Sequence, residues 1–284
     1  SGNEEFYRNI NRYLEIVSLA TICDIMPILD ENRIIVKNGM EILGQGNNLG
    51  MQALLEVCGL DGTKIKSSHL GFAIGPRINA SGRLGFSKLG VELFTSDSLE
   101  EAKSLALMMD SKNTERQEVE ARIHMEVEEI LSKDTSYKDD KVLVISGKDW
   151  HHGIIGIVAS KVTEKYYKPC ILLCQEGDMA VGSARSIKGF DIFSALYECR
   201  DYMTKFGGHQ QAAGMSMEVA KIALLREKIN KIANYELNQE DLVEVIKVEY
   251  EIDQASLDLD LVDNLHILEP FGIKNPTPYF MMRN

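Results

Sequence analysis

Three short stretches of the sequence combine small residues with a donor side chain: Gly75–Arg83, Gly182–Ser186 and Gly207–Gly214. The small residues let an anion approach backbone amides, and paired glycines can turn several amides toward it. Arg185 and His209 add side-chain donors, and a guanidinium can hold a phosphate through two parallel hydrogen bonds. Because none of the stretches supplies a clear nucleophile, they favour binding of a phosphate-bearing polymer or nucleotide.

A fourth stretch, Trp150–Gly156, is expected where a strand ends and a helix begins. Glycines near a helix N-terminus allow backbone N–H groups to meet an anion. The adjacent His151 and His152 could suggest a metal, but neighbouring positions rarely converge on one ion. Each of the four stretches also has an ordinary structural interpretation, as a tight turn, a polar corner or an arginine in a surface salt bridge.

The sequence offers one isolated carboxylate as a candidate metal ligand. Asp24 lies alone in the apolar run 21–29, directly after a predicted helix. A catalytic divalent ion needs several oxygen or imidazole ligands. Asp24 therefore cannot hold such an ion by itself.

Net charge, the length of the apolar runs and the cysteine spacing exclude some classes of protein. The formal charge of −12 argues against a protein that coats nucleic acid, because phosphate neutralisation needs a basic face. It does not argue against a local basic groove. No apolar run approaches the roughly 20 residues of a spanning helix, so we expect no membrane association. The five cysteines lack Cys-x-x-Cys spacing and lie mostly in apolar runs, which predicts reduced core thiols and a cytoplasmic location.

Hydrophobic periodicity predicts helices first and an alternating β/α region later. The predicted helices cover 4–20, 37–44, 50–58, 98–132, 153–167, 191–202 and 221–235. The predicted strands cover 141–146, 170–175, 180–186 and 243–252. Loops rich in glycine are expected at 75–83 and 207–214, and a rigid turn is expected at 270–278.

The segment 98–132 is the clearest helical region. Ser98 and Glu101 have the spacing of a capping box, in which each side chain bonds the other's backbone N–H. Residues 110–118 are almost wholly polar, so the helix either breaks there or crosses open solvent. If it is continuous, it spans about 50 Å and connects two patterned regions.

These motifs resemble those of a known family in both kind and order. Thr21–Pro27 is similar to the last metal-binding motif of the DHH phosphoesterases. The four stretches described above follow in the order found in RecJ-type single-stranded-DNA exonucleases of the DHH/DHHA1 superfamily. Pro270–Gly272 with Asn275-Pro276 resembles the RecJ signature before an oligonucleotide-binding barrel. The resemblance covers nearly the whole sequence.

One departure from the family pattern is large. The Asp-His-His triplet that names the DHH proteins is missing, since Trp150 precedes His151-His152. The chain also starts at Ser1-Gly2 without methionine and ends abruptly at Asn284. We therefore expect a carboxy-terminal piece of a longer protein that by itself neither binds the metal pair nor cleaves DNA.

The resemblance implies an α/β fold in four parts. Residues 1–96 would be the helical remnant of a DHH phosphoesterase domain, and 97–136 a long connecting helix. Residues 137–237 would form a substrate-binding DHHA1 domain with a mixed β-sheet flanked by helices. Residues 238–284 would lead into a truncated oligonucleotide-binding (OB) domain.

The resemblance also implies an activity for the whole protein. RecJ degrades single-stranded DNA from 5′ to 3′ in recombinational and mismatch repair, and two Mn²⁺ or Mg²⁺ ions activate the attacking water. Asp24 would be one metal ligand. A second set of residues would hold DNA phosphates in a cleft between two domains: Arg83, Ser183, Arg185 and His209, with Arg77 and Lys161 as further candidates. Single-strand-binding protein and a RecQ-type helicase are the partners that the family implies.

Two alternatives to an exonuclease piece remain open. The chain could belong to a cyclic-dinucleotide or short-oligoribonucleotide phosphodiesterase of the same superfamily, which would prefer much shorter substrates than RecJ does. It could also be a nucleic-acid-binding module with no catalytic parent. An Asp-His-His motif encoded upstream of Asn3 would argue against this second alternative.

Overall fold

The structure is a computed structural model that describes residues 2–43, 45 and 47–283, so Ser1 and Asn284, the two ends considered above, lie outside it. The chain divides into two compact units. The first contains the residues up to Thr114 together with those from Ile246 onward, and the second contains Glu115–Val245. No described helix is both long and apolar enough to cross a bilayer.

The first unit is mainly helical. Its helices are α1 (Gly2–Cys23), α2 (Asp30–Ile42), α3 (Leu49–Val57), α4 (Ser67–His69), a π-helical turn (Leu70–Ile74), α5 (Gly75–Arg83), α6 (Lys88–Thr95), the first half of α7 (Leu99–Lys133) and α11 (Leu259–Leu265). Two short strands, β6 (Tyr250–Glu251) and β7 (Phe280–Met281), pair in parallel. The core of this unit includes the fully buried Met51, Leu54 and Leu93.

A turn after α11 is tied to this helical core. The Arg33 guanidinium donates hydrogen bonds to the carbonyl oxygens of Ile267, Leu268 and Glu269, at 3.2, 2.8 and 2.8 Å respectively. The Ile28 N–H donates to the Ile273 carbonyl at 2.7 Å. The segment around 266–273 is therefore part of the first unit, although more than 230 residues separate it from Arg33 in the sequence.

The second unit is a mixed sheet flanked by helices. Its elements, after the second half of α7, are β1 (Leu143–Lys148), α8 (Ile155–Tyr166), β2 (Cys170–Glu176), β3 (Met179–Arg185), α9 (Ile192–Glu198), β4 (Met203–His209), β5 (Ala212–Glu218) and α10 (Ile222–Glu236). The strand order is β1-β2-β3-β5-β4. The β1–β2 pair is parallel and the other pairs are antiparallel, which confirms the predicted α/β class with a mixed sheet.

The two faces of this sheet are covered differently. One face carries the buried row Val144, Ile171, Ala184 and Ala213, which packs with residues of α9 and α10 in the main core. On the other face, α8 packs against β2 and β3. Residues of β4 and β5 on that second face, such as Gly207 and Gly214, are exposed.

Three predicted elements differ from the structure. Residues 75–83 form helix α5 rather than a loop, with Pro76 in the first turn, where its missing N–H costs nothing. The predicted loop 207–214 is mostly the two strands β4 and β5, with a turn only at Gln210-Gln211. Of the predicted strand 243–252, only Tyr250–Glu251 is a strand, because the alternating apolar residues there are exposed instead of packed.

The long helix is continuous, and its N-terminal cap is more elaborate than predicted. Helix α7 runs unbroken through the polar stretch 110–118. The Ser98 hydroxyl accepts from the Glu101 N–H at 3.4 Å, as expected. The Glu101 carboxylate, however, accepts from the Ser96 hydroxyl at 2.7 Å, and the Ser98 N–H donates to Ser96 Oγ at 3.2 Å. In a capping box the Ser98 N–H would donate to the Glu101 carboxylate. Here the Ser98 N–H donates to Ser96 instead, and Ser96 donates to Glu101.

All five cysteines are free thiols, as predicted. Cys170, Cys174 and Cys199 are buried, whereas Cys23 and Cys58 are half-buried. Burial raises the pKa of the Cys199 thiol to about 11, so the thiol is protonated and unreactive at neutral pH. These side chains serve as small apolar residues of the two cores.

A buried carboxyl group in α1 gives the first unit a pH-dependent stability. Glu15 is only 1% exposed, and desolvation raises its pKa from 4.5 to about 7, although Asn47 donates to Oε1 at 3.1 Å. Because the folded state holds the proton more tightly, the contribution of Glu15 to stability is fully present below pH 4.5 and is lost as the pH rises through about 7. We expect Glu15→Gln to raise the free energy of unfolding by about 2–3 kcal/mol at pH 8, and to change it little at pH 4.

Urea denaturation followed by far-ultraviolet circular dichroism at several pH values measures this difference. Glu41→Gln is the matched control, since Glu41 is exposed on the neighbouring helix α2. A gain from Glu15→Gln that is equal at pH 4 and pH 8 would mean that ionisation of this carboxyl group does not limit stability.

Candidate phosphate-binding face

The strand register of the second unit brings Arg185 and His209 to one face of the sheet. Arg185 of β3 lies opposite Ala212 of β5, and Ala212 lies opposite His209 of β4. Residues opposite each other on neighbouring strands share a face. Two strand spacings place the Cα atoms of Arg185 and His209 about 10 Å apart, with only the methyl group of Ala212 between them.

A second row, two residues further along each strand, lies on the same face. It contains Ser183 of β3, Gly214 of β5 and Gly207 of β4. Both glycines are exposed and present bare backbone. We call the surface formed by the two rows (Ser183, Arg185, Gly207, His209, Ala212 and Gly214) the glycine face.

The Arg185 side chain is held in place before any ligand arrives. Its Nε donates to Ser160 Oγ at 3.2 Å, and its Nη1 donates to Ser183 Oγ at 3.0 Å and to the Ala184 carbonyl at 2.8 Å. Ser160 lies on α8, one turn after Gly156, and its hydroxyl also donates to the Gly156 carbonyl at 3.2 Å. A guanidinium has five N–H donors in a fixed plane, so a held arginine loses less conformational entropy when it binds phosphate.

The approach of α8 to this arginine depends on a glycine. A Cβ atom at Gly156 would lie 2.9 Å from Ser183 Oγ and 3.0 Å from Arg185 Nη2. Such contacts are tighter than nearly all real Cβ contacts. Gly156 therefore lets the first turn of α8 pack directly beside Ser183 and Arg185.

His209 is exposed at the tip of the β4–β5 hairpin. Its Nδ1 accepts a hydrogen bond from the Gln211 N–H at 3.3 Å, which favours the tautomer with the proton on Nε2. That Nε2–H can donate to a phosphate oxygen. The hairpin tip is fixed by two further bonds, from the Ser186 N–H to the Gln211 carbonyl at 3.0 Å and from the Ile192 N–H to the Gln210 carbonyl at 3.2 Å.

Gly208 allows the hairpin to close tightly just before His209. A Cβ atom there would lie 2.3 Å from the Ala212 carbonyl oxygen and 2.5 Å from Ala213 Cα. No side chain fits against backbone at that distance. Gly208 is therefore required for strand packing, whereas Gly207 has open space around it and keeps the face accessible.

The other predicted ligands occupy different surroundings. Arg77 in α5 donates to Asp110 at 2.8 Å and to the Ala73 carbonyl at 2.7 Å. Arg83 is exposed at the C-terminal end of α5, and Asp24 is exposed just after α1. The structure therefore places Ser183, Arg185 and His209 together in the second unit, whereas Arg77, Arg83 and Asp24 belong to the first.

Lys161 lies on α8 in the second unit, but its ammonium already has an ion-pair partner. Its ammonium forms an ion pair with Glu120 of α7, and Arg116 pairs with the same carboxylate. The Glu120 side chain is buried, so this contact fixes α8 against α7. Sequence reasoning had no signal for this pairing, because 41 residues separate Glu120 from Lys161.

The Trp150–Gly156 stretch is a polar strand-to-helix corner, as its ordinary structural interpretation has it. Trp150 is buried, and its Nε1 donates to Glu126 Oε2 at 2.6 Å. His151 Nδ1 accepts from the Gly153 N–H at 3.1 Å, and the exposed His152 lies 3.8 Å from Glu176. These contacts hold the Trp150 and His151 side chains in place within the second unit.

Comparison with known proteins finds relatives of the second unit and of the chain as a whole. A family model for the DHHA1 domain matches residues 139–234, which include the whole glycine face. The chain is 36% identical over 273 residues to the single-stranded-DNA-specific exonuclease RecJ of Bacillus subtilis, covering 95% of this chain and 34% of that protein. It is 33% identical over 280 residues to RecJ of Escherichia coli, covering 96% of this chain and 48% of that protein.

Solved structures agree with these matches. A crystal structure of RecJ in complex with Mn²⁺ from Thermus thermophilus superposes with a TM-score of 0.86 at 27% identity, covering 96% of this chain and 40% of that chain. Across nearly its whole span, the chain is similar to RecJ. It spans between a third and a half of the length of the RecJ proteins from Bacillus subtilis and Escherichia coli.

RecJ structures have been solved with Mn²⁺ and with Mg²⁺, which makes the donor set of this chain relevant. In the part of the chain that the structure describes, no three His, Cys, Asp or Glu side chains converge where an ion could bind. Asp24 is a single exposed carboxylate. A single carboxylate supplies only one of the several ligands that a divalent ion needs.

Ser160 is a site residue that sequence reasoning missed, and Gly156 was singled out only as part of the Trp150–Gly156 stretch, without its contact to Arg185. Both lie on α8, four residues apart, and therefore on one side of the helix. A small residue at each of two positions one turn apart indicates close packing against another element. That spacing is the signal that could have placed α8 beside Arg185 in this RecJ-type domain.

Proposed function

We propose that this chain supplies part of the single-stranded-DNA-binding surface of a metal-dependent RecJ-type exonuclease. The observation that carries the proposal is the glycine face, where Ser183, Arg185 and His209 line an open surface of bare backbone. The relatives named as single-stranded-DNA-specific exonucleases support the choice of ligand.

On this proposal, the glycine face grips the sugar-phosphate backbone rather than the bases. Arg185 supplies a planar donor that can face two phosphate oxygens, and Ser183 and His209 supply single donors. Gly207 and Gly214 have no side chain that would keep the strand away. Contacts of this kind carry no base preference, which suits an enzyme that digests DNA of any sequence.

We propose the remaining roles by relationship to the family. The whole protein would degrade DNA from 5′ to 3′ with two Mn²⁺ or Mg²⁺ ions, and Asp24 would provide one ligand of that site. Recombinational and mismatch repair would be its setting, with single-strand-binding protein and a RecQ-type helicase as partners. Arg83, and less directly Arg77 and Lys161, would assist in holding phosphates. The chain would act in the cytoplasm.

One experiment tests binding and cleavage together. A fluorescently labelled long oligothymidylate, a dinucleotide and a duplex are titrated with this chain at several salt concentrations, and the mixtures are then incubated with Mn²⁺. We expect the long strand to bind most tightly, with an affinity that falls as salt rises, and we expect no shortened products. Tighter binding of the dinucleotide would favour the short-oligonucleotide phosphodiesterase instead.

Shortened products in the Mn²⁺ incubation would contradict the proposal in a different way. They would mean that the present residues assemble a working metal site without further ligands. Equal, salt-independent binding of all three probes would remove the glycine face as a specific phosphate surface.

A further inference from the structure

The glycine face continues for one more row beyond the two already described. Lys205 of β4 lies opposite Ser216 of β5, and Ser216 lies opposite Val181 of β3. Lys205 is two residues before Gly207 and four before His209, so alternation along β4 places it on the same face. The neighbouring Phe206 points the other way, since its ring packs 5.8 Å from that of Phe193 on α9.

The distance from His209 to Lys205 is too large for a single phosphate. Four residues of extended strand span about 13 Å. The irregularity in the β4–β5 pairing lies between Met203 and Lys205 and leaves the register from Lys205 to His209 intact. Gly207, midway between the two side chains, is exposed and leaves the path between them open.

The charge of Lys205 is available to a ligand. Within the described part of the chain, no carboxylate forms an ion pair with it, and its side chain is exposed. Lys161 differs, because it forms an ion pair with Glu120. Glu218 lies further along the same face and forms an ion pair with Lys221 at 2.9 Å. The basic part of the face therefore ends before Glu218.

We infer that Lys205 binds a second phosphate of the same strand and thereby sets a preference for strands over dinucleotides. The inference rests on the proposed function, since it needs a first phosphate at Arg185 and His209. A ligand with one phosphodiester can reach only the first position. A longer strand lying across Gly207 reaches both and gains the additional charge contact.

The test compares Lys205→Gln with Arg185→Ala on a long oligothymidylate and on a dinucleotide. We expect Lys205→Gln to weaken binding of the long strand roughly three- to tenfold and to lower the slope of log affinity against log salt by about one. Its dinucleotide affinity should equal that of the unmodified chain. Lys205→Arg should restore binding of the long strand, because only the charge is required.

Lys148→Gln is the matched control. Lys148 is an exposed strand lysine at the end of β1, on the opposite edge of the sheet, and its loss changes the net charge equally. We expect it to leave both affinities unchanged. If Lys205→Gln behaves like this control while Arg185→Ala weakens binding, Lys205 does not bind a second phosphate. The proposed function is unaffected by that result. If the unmodified chain binds neither probe, the proposed function itself fails.

Discussion

Replacing Arg185 with alanine is expected to weaken binding of single-stranded DNA roughly tenfold to a hundredfold, which corresponds to about 1.5–3 kcal/mol for a charged hydrogen bond. Arg185 is the central donor of the glycine face, and Ser160 and Ser183 fix its guanidinium before the ligand binds. Removing it therefore removes both the charge and a preorganised planar donor. Fluorescence anisotropy with a labelled oligothymidylate at constant salt measures the change.

Two further variants separate charge from geometry at this position. Arg185→Lys keeps the charge but lacks the planar fork, so its affinity should fall between those of the arginine and alanine forms. Arg200→Ala removes an arginine that stacks over Tyr197, beside α9 and away from the glycine face. An Arg200 variant that weakens binding as much as the Arg185 variant does would show that only net charge matters.

Replacing Asn230 with alanine is expected to lower the free energy of unfolding of the second unit by about 2–4 kcal/mol. The Asn230 side chain on α10 accepts from the Lys141 and Val142 N–H groups at 2.8 and 3.0 Å, and donates to the Val142 carbonyl at 2.9 Å. It therefore completes the hydrogen bonding of the buried backbone that leads into β1. Alanine leaves those groups without their partner and away from water.

Urea denaturation followed by the fluorescence of Trp150 measures this effect in the appropriate unit, because Trp150 is the single tryptophan of the chain and is buried there. Asn234→Ala is the control, since Asn234 lies on the same helix one turn later and is exposed. We expect the control to change the free energy of unfolding by less than about 0.5 kcal/mol. Similar losses for both variants would point to helix propensity rather than to the buried hydrogen bonds.

The alternating β/α order of the second unit could be predicted because its strands are short, strongly apolar runs. Strand β2, for example, is buried from Cys170 through Cys174. Local composition gave a wrong prediction where tertiary packing outweighed the low helix propensity of glycine and proline. Helix α5 contains two glycines and a proline, yet Gly75 packs so closely on Cys23 that a Cβ would lie 2.5 Å from Sγ. Such tertiary contacts leave no periodic signal in the sequence.

For the candidate site as well, the residue types could be predicted from the sequence, but their spatial arrangement could not. Ser183, Arg185 and His209 could be selected from residue type, because small residues around a donor indicate close ligand approach. Their placement on one face follows from strand register, which joins residues far apart in the chain and is not readable from a single sequence. The ion pair of Lys161 with Glu120 was not readable from the sequence either, because it joins two different helices.

Strand β4 ends the sheet, so its outer backbone is open to pairing with a strand from another molecule. Glycines at 207 and 208 weaken that tendency, and a charged lysine at 205 opposes stacking of identical edges. The residues that keep this surface thin and basic therefore also oppose aggregation through the sheet edge. Substitutions that make this edge more apolar should cost solubility even where they leave the fold intact.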